Sequence, residues 1–254
     1  MKYLTKFETQ AAYTAAESSL ALPNVSLITE TNGVAYKPSQ PTPPTETRVV
    51  ATFNVDDDGI GIGILSNDEN ISAIEIDGVE QPTVVIYYTF STRGEHTVKY
   101  TLIDPTTISD SAFSSIDSLT SIDIPSSVTS IGNGAFGSCS SLTSITIPNS
   151  VTTIGDSAFQ DCRSLTSITI PNGVTNIGEY TFSYCSGMTT CNIGSGVTTI
   201  GNNAFTGCYS LTSINIPSSV TSIGDYAFCQ CNNIDDSIVE TIYAINPLAF
   251  YCEN

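Results

Sequence analysis

The sequence is poor in positive charge and in histidine. Seven lysines and arginines stand against 25 aspartates and glutamates, which gives a formal net charge of −18 at pH 7, and His96 is the single histidine. A surface of this sign repels phosphate backbones and anionic lipid headgroups, so it argues against nucleic acid and membrane surfaces as partners. High solubility is the simplest consequence of the charge.

Long apolar runs are also missing. The opening "MKYLTKFETQ" has no apolar stretch long enough for a signal peptide, and no segment is long and apolar enough to span a bilayer. Taken alone, these features predict a chain that is made and kept in a cytoplasm, without membrane insertion.

The scarcity of histidine argues against catalysis and metal binding. A serine or cysteine nucleophile needs a neighbouring base, and His96 lies outside the repeats described below. Cys229-x-Cys231 lacks a second ligand pair at zinc spacing, and the aspartates at 56–58 lack the spaced ligands of an EF-hand loop. We therefore expect no enzyme activity, no cofactor and no metal, with His96 an ordinary strand residue and the aspartates a solvated turn.

The sequence instead contains a repeat. "SLTSITIPNSVTTIGDSAFQDC" at 141–162 recurs as "SLTSITIPNGVTNIGEYTFSYC" at 164–185, a period of 23 residues that continues on both sides. One such unit cannot close a core by itself, so neighbouring units must stack as coils of a solenoid. We call the residues at one repeat position a column. The phenylalanine column is Phe113, Phe136, Phe159, Phe182, Phe205 and Phe228.

Each coil is predicted to contain two extended segments and a turn. Ile145 and Ile147 alternate with polar residues, which is the period of a half-buried strand. A second extended segment follows around Ile154, and residues 156–162 are predicted to form one helical turn that buries Phe159. The fold class is therefore mainly β with short helical turns.

The unit L-x-x-I-x-I-P-x-x-V-x-x-I-G-x-x-A-F-x-x-C, which runs from Leu119 to Cys139 and recurs in its copies, resembles the leucine-rich repeat of BspA-type bacterial surface proteins. The resemblance covers residues 105–252 and implies a leucine-rich-repeat solenoid of 23-residue coils, in a family whose members are commonly adhesins or binding proteins. It transfers no binding residues, because the family's binding positions are not fixed. The two ends of the array depart from this unit. At the N-terminal end Ile116 stands where the repeats have cysteine, and at the C-terminal end "DDSIVETIYAI" replaces the polar strand, as expected of terminal caps.

Three segments precede the solenoid, which we assign to residues 105–254. Residues 1–37 carry a capping-box motif and an Asn-Gly hairpin signal, so we predict a helix plus hairpin that is ordered by docking on its own copies or on a partner. Residues 38–47 are a proline-rich linker, and residues 48–104 are predicted to form a small Ig-like β-sandwich.

Cysteine is concentrated in the repeats. Stacked coils would place the cysteines of one column about 5 Å apart, which is within reach of a bridge. Side chains of one column run parallel, however, and five cannot pair evenly. We therefore predict buried, reduced thiols that fill a corner of the coil, with Cys191 in place of an inward isoleucine. The column consists of Cys139, Cys162, Cys185, Cys208 and Cys231.

The outward positions of the first strand in each coil form the predicted ligand-binding surface. These residues repeat in register and are free to vary without disturbing a buried column. Spaced about 4.8 Å apart along the stack, they would present hydroxyl and amide groups suited to sugar hydroxyls or to a polar protein surface. The ten residues are Ser121, Asp123, Ser144, Thr146, Ser167, Thr169, Thr190, Asn192, Ser213 and Asn215.

The opening stretch, residues 2–38, resembles the N-terminal segments of proteins from gut Bacteroidales and their tailed phages. With the repeats, this implies a phage virion surface protein, a head fibre or decoration made in the host cytoplasm. The N-terminal segment would dock on the virion or another structural protein, and the solenoid would meet a host-surface glycan or protein. The alternatives are a bacterial cell-surface adhesin, a structural decoration without a ligand, and an ice-binding array. A homo-oligomer formed through the N-terminal segment is a further expectation.

Overall fold

The computed structural model describes residues 29–31, 34–36, 48–56, 59 and 61–252. The chain divides into two compact units, residues 1–45 and residues 46–254. In the first unit, strands β1 (Thr29–Thr31) and β2 (Val34–Tyr36) pair antiparallel on either side of residues 32–33. The predicted N-terminal helix and the proline-rich linker lie outside the described residues.

The second unit begins with six strands that precede the repeats. They are β3 (Arg48–Val55), β4 (Gly61–Gly63), β5 (Ile71–Ile76), β6 (Val79–Glu80), β7 (Tyr87–Thr89) and β8 (Gly94–Leu102). Strands β3, β8, β5 and β6 are antiparallel neighbours in one sheet, and β4 pairs separately with β7. Alternate residues such as Val49, Ala51 and Phe53 are fully buried, which is the period-two pattern of a sheet with one covered face.

Two strands per coil repeat along the solenoid. In chain order they are β9 (Thr107–Ile108), β10 (Leu119–Asp123), β11 (Ser130–Ile131), β12 (Ser144–Thr146), β13 (Thr153–Ile154), β14 (Ser167–Thr169), β15 (Asn176–Ile177), β16 (Thr190–Asn192), β17 (Thr199–Ile200), β18 (Ser213–Ile214) and β19 (Ser222–Ile223). Parallel pairing joins β10 to β12 and β9 to β11 and β13 in the first coils, and it joins β14, β16 and β18 as well as β15, β17 and β19 in coils 3 to 5. Ile122 therefore lies beside Ile145, and Ile168 lies beside Cys191. We number the coils 1 to 5, beginning at Leu119 and stepping by 23 residues.

The sheet of the first coils continues into the strands that precede the repeats. Strand β10 pairs in parallel with β12 on one side and antiparallel with β3 on the other, which gives the strand order β12-β10-β3-β8-β5-β6. An uncovered edge would offer unpaired backbone groups to another chain, and β3 removes that edge. Backbone pairing therefore crosses residue 104, and the small Ig-like β-sandwich assigned to residues 48–104 stays a prediction.

The third side of each coil is a run of turns. Between residues 156 and 162, alternate amides bond to carbonyls three residues back, while the amides of Ser157, Phe159 and Asp161 bond to carbonyls of the next coil. Ser157 and Asp161 have φ of 55° and 59°, in the left-handed region. The helical turn expected here is thus replaced by consecutive turns, because every second amide serves the contact between coils.

A glycine and a polar side chain mark the corner before each run of turns. Asn133 Oδ1 accepts a hydrogen bond from the amide of Asp156 in the next coil at 2.9 Å, and Asp156 Oδ1 accepts one from the amide of Glu179 at 2.9 Å. A Cβ at Gly155 would lie 2.5 Å from the backbone nitrogen of Asn133. Only glycine allows the coils to approach this closely.

The phenylalanine column forms a continuous stack through the solenoid core. From Phe113 to Phe228, rings of adjacent coils lie 5.2–5.5 Å apart and are nearly parallel. Tyr100 of β8 packs edge-on against the first ring at 5.2 Å and donates its hydroxyl to the carbonyl of Ile64. Phe250 closes the other end at 5.7 Å. The stack thus links the strands before the repeats to the C-terminal cap.

The cysteine column lies beside this stack and is buried, which confirms the prediction of burial. The thiol of Cys162 donates to the carbonyl of Phe136 at 3.1 Å, and that of Cys185 to the carbonyl of Phe159 at 3.1 Å. Burial raises the pKa of the Cys185 thiol to about 12. These cysteines fill space and also donate weak hydrogen bonds between coils.

The C-terminal cap replaces the polar strand with a helix, α1 (Asp236–Ile245). Asp235 caps this helix by accepting a hydrogen bond from the amide of Ser237 at 3.0 Å. A disulfide between Cys229 and Cys252 ties the end of the cap to the last coil. Cys229 is therefore bridged, a pairing that the repeat pattern did not predict.

Labelling with a maleimide should distinguish the two kinds of cysteine. Six free thiols are buried, so the native chain should take up no label. After denaturation without reductant six cysteines should react, and with reductant all eight should. Mass spectrometry counts the labels. Eight labels without reductant would contradict the bridge, and labelling of the native chain would contradict the burial of the column.

Candidate binding surface

The structure brings the ten predicted residues together on one side of the solenoid, which we call the strand face. They alternate with buried side chains, and adjacent strands place Ser121 beside Ser144 and Thr169 beside Asn192. Two of them, Ser121 and Thr190, are half-buried. The exposed ones are Asp123, Ser144, Thr146, Ser167, Thr169, Asn192, Ser213 and Asn215.

The hydroxyl groups of the strand face are available to a ligand. The threonines that precede each strand use their hydroxyls within the solenoid: Thr143 donates to the carbonyl of Thr120 at 3.1 Å, and Thr189 to that of Thr166 at 3.2 Å. In the described part of the chain, the hydroxyls of the exposed strand positions have no such partner. These are Ser144, Thr146, Ser167, Thr169 and Ser213.

Asn215 differs from the other nine residues. Its side-chain amide accepts a hydrogen bond from the Ile193 amide at 2.7 Å and donates one to the Ile193 carbonyl at 2.8 Å. Strand β18 ends at Ile214, and the side chain of Asn215 makes the hydrogen bonds to the neighbouring coil that a backbone residue would make if the strand continued. Asn215 is exposed, but its amide is occupied by the neighbouring coil.

The strand face is wider than the repeats. Because β3 pairs with β10, Thr52 lies beside Ser121, and the outward residues of β8 and β5 continue the same surface. There Glu75 accepts hydrogen bonds from Lys99 Nζ at 2.8 Å and from Arg48 Nη1 at 3.0 Å. The Lys99 hydrogen bond is the main cause that holds the pKa of Glu75 below its usual range. The sequence pattern carried no signal for this charged cluster, because its residues come from three strands, β3, β5 and β8, whose pairing is non-local.

His96 is a structural residue. Its Nδ1 lies 2.7 Å from Asp77 Oδ2 and its Nε2 lies 2.9 Å from the carbonyl oxygen of Thr92, so both ring nitrogens face acceptors. Burial alone would lower the pKa of His96, but the hydrogen bonds with Asp77 and Thr92 outweigh it and raise the pKa. Both ring nitrogens of His96 are thus occupied by partners within the same part of the chain.

The acidic turn at residues 56–58 is described only at Asp56, which accepts a hydrogen bond from Asn54 Nδ2 at 2.9 Å. The other two aspartates lie outside the described residues. Among the residues that the structure places, no three His, Cys, Asp or Glu side chains come together as a metal site. Within the same residues, no helix has the length and apolarity of a membrane-spanning segment.

Known proteins share the repeat. Residues 106–254 match the family described as BspA type leucine rich repeat region, with six copies of the repeat. No curated protein matches the chain at a significant level.

Similar solved structures come from several bacteria. A leucine rich cell surface protein of Faecalibacterium prausnitzii A2-165 is 32% identical over 61% of this chain, with a TM-score of 0.41, and the match spans 44% of that protein. A leucine rich repeat protein of T. pallidum is 25% identical over 56% of this chain and 77% of that one, with a TM-score of 0.43. A leucine-rich repeat protein of Bacteroides ovatus ATCC 8483 is 26% identical over 56% and 47%, with a TM-score of 0.31.

Proposed function

The chain belongs to the BspA-type leucine-rich repeat family, and from this premise we propose that it is a non-enzymatic binding protein, displayed at a surface, whose strand face meets a glycan or a protein on a host cell. The observation that carries the proposal is the register of free, exposed hydroxyl groups in coils 2, 3 and 5. Ser144 and Ser167 are exposed, repeat at the same coil position and have no partner in the described part of the chain. Such a ladder offers donors and acceptors in a fixed array.

Two locations are compatible with this function. The resemblance of residues 2–38 to the N-terminal segments of virion-associated proteins supports a phage particle, with this segment docked on a capsid or tail protein. The repeat family supports the surface of a bacterial cell. Mass spectrometry of purified particles and of cell envelopes decides between the two. Recovery of the chain from envelopes of cells that release no particles would exclude the virion assignment.

The disulfide supports exposure of the solenoid outside the cytoplasm. Bridges such as Cys229–Cys252 form and persist in oxidising environments and are rare where glutathione and thioredoxin keep thiols reduced. This observation favours a displayed protein over the cytoplasmic retention that we expected from the opening of the sequence.

Lysine at Ser144 and Ser167 should abolish binding through the strand face. The double variant Ser144→Lys and Ser167→Lys places two long charged side chains in the hydroxyl ladder, so we expect at least a tenfold loss of affinity for the intact bacterial cells that the unmodified chain binds. The melting temperature should change by no more than about 2 °C, because both positions are exposed.

The matched control places lysine on the second sheet of the same two coils. Thr153 lies on β13 and Asn176 lies on β15, and both side chains are exposed, as those of Ser144 and Ser167 are. The double variant Thr153→Lys and Asn176→Lys should therefore leave binding unchanged. Equal loss in both double variants would indicate an effect of charge alone. Normal binding by the strand-face variant would refute the assignment, and a chain that binds no glycan and no cell would support the purely structural decoration.

A further inference from the structure

Exposed aromatic side chains are concentrated on the runs of turns in the C-terminal half of the solenoid. Tyr180, Tyr184 and Tyr209 are 42%, 41% and 45% exposed. The aromatic residues of coils 1 and 2, Phe136 and Phe159, are fully buried instead. The exposed rings therefore belong to particular coils and are not a property of the repeat.

The backbone of these tyrosines is unfavourable for large side chains. Tyr180 and Tyr184 have φ of 55° and 59°, and left-handed backbone is rare for bulky residues. The next coil places Asn203 and Gly207 in the same two columns, both of which tolerate that conformation. The fold does not require tyrosine there, so the strained tyrosines point to a function.

Two of the rings are held in fixed positions. A Cβ at Gly207 would lie 2.6 Å from Cδ1 and 2.9 Å from Cε1 of Tyr184, which means that the ring lies directly over the glycine of the next coil. Tyr209 donates its hydroxyl to Gln230 Oε1 at 3.1 Å, and its carbonyl accepts from Asn233 Nδ2 at 2.7 Å. Each ring thus has contacts in the neighbouring coil that favour one orientation, and a preset orientation reduces the entropy lost on binding.

Polar residues occupy the columns of the two tyrosines in the preceding coils. Asp161 precedes Tyr184 in its column, and Arg163 and Ser186 precede Tyr209 in its column. Arg163 is the only lysine or arginine after residue 99, and its Nη2 lies 3.0 Å from Asp161 Oδ1. An aromatic face can pack against the apolar part of a ligand while hydrogen-bonding side chains beside it satisfy the ligand's polar groups.

We propose that Tyr184 and Tyr209 form a stacking platform for a neutral glycan, separate from the strand face. The apolar C–H face of a sugar ring packs on an aromatic face, and its hydroxyls hydrogen-bond to neighbours such as Asp161, Ser186 and Gln230. A net charge of −18 opposes an anionic polymer and also a second copy of this chain. A neutral sugar chain is free of that repulsion.

The test uses the full chain and a printed array of neutral oligosaccharides built from hexoses and N-acetylhexosamines. The variant Tyr184→Gly with Tyr209→Ser takes each replacement from an adjacent coil of the same column, Gly207 and Ser186, so the fold should persist with an unchanged melting temperature. We expect the chain to bind at least one neutral glycan and this variant to lose tenfold or more in affinity. Tyr184→Phe keeps the ring and should keep binding.

Two controls separate this platform from other surfaces. Tyr87→Ser removes an exposed tyrosine outside the solenoid and should leave binding to the array unchanged. The lysine variants of Ser144 and Ser167 should also retain binding to the same glycan, since they alter only the strand face. If the lysine variants lose it and the tyrosine variant keeps it, the platform is refuted and the strand face is supported.

Three further outcomes would overturn the proposal. The first is an unmodified chain that binds no neutral glycan on the array. The second is an anionic glycan as the preferred ligand. The third is a change of mass in sedimentation when the tyrosines are replaced, which would make the platform an interface between copies of this chain.

Discussion

Replacement of Phe182 by alanine should lower the free energy of unfolding by about 4 kcal/mol, the usual cost of deleting a buried phenylalanine. Phe182 is fully buried in the middle of the stack, with ring centroids of Phe159 and Phe205 at 5.5 and 5.3 Å. The deletion therefore leaves a cavity and removes two ring contacts together. Because each coil contacts only its neighbours, weakening one interface should also uncouple the two halves of the solenoid.

Urea denaturation followed by circular dichroism measures this effect. The matched control is Phe250→Ala at the C-terminal end of the stack, where the ring is half-buried and tilted by 32° against Phe228. We expect the control to lose about half as much stability, since it deletes less buried surface. Equal losses for the two variants, or a loss below about 1 kcal/mol for Phe182→Ala, would show that the stack is not the core of the solenoid.

Removal of the Cys229–Cys252 bridge should cost about 3 kcal/mol, the loop-closure value for a separation of 23 residues. The bridge encloses α1 and holds the segment that carries Phe250 against the last coil. Without it the cap should open first and expose the end of the phenylalanine stack. Calorimetry with and without a reductant should show a clear decrease in the melting temperature.

The variant Cys252→Ser separates the bridge from the other thiols. It should melt at the lower temperature in either condition and should not respond to the reductant. A reductant effect that persists in Cys252→Ser would have to arise elsewhere, and an unmodified chain that does not respond would show that the bridge contributes nothing to stability.

Residue identity alone determined the architecture of the repeats. A constant period of 23 residues, with isoleucines in alternation and phenylalanine in one column, places the same side chains inward in every coil. The repeat pattern also predicted the first half-coil, and its residues Phe113 and Ile108 are buried. The outward side of the strand face followed from the same alternation. These features are local, because each depends on spacing within one unit and on the repetition of that unit.

Only the tertiary structure decided which backbone groups meet across the chain. The pairing of β3 with β10 joins residues far apart in sequence, and no local pattern specifies the partner of a sheet edge. In the runs of turns, backbone amides hydrogen-bond to carbonyls of the next coil. Ser157 and Asp161 therefore have positive φ, and no helical turn forms there. The alternation of the strand assigned Asn215 to the ligand surface. Because β18 ends before this residue, the backbone amide and carbonyl of Ile193 hydrogen-bond to the side-chain amide of Asn215 instead of to a strand.

The cysteines and tyrosines show the same limit at the scale of single side chains. Spacing indicated that the cysteine column is buried. The close approach of the coils lets the Cys162 thiol donate a hydrogen bond to the Phe136 carbonyl, and the fold of the cap brings Cys229 and Cys252 together in a disulfide. Tyr184 follows no repeat pattern, and its importance is visible only where its ring lies on Gly207. A repeat period specifies which residues face inward, whereas contacts between coils depend on distances and directions that exist only after the coils have stacked.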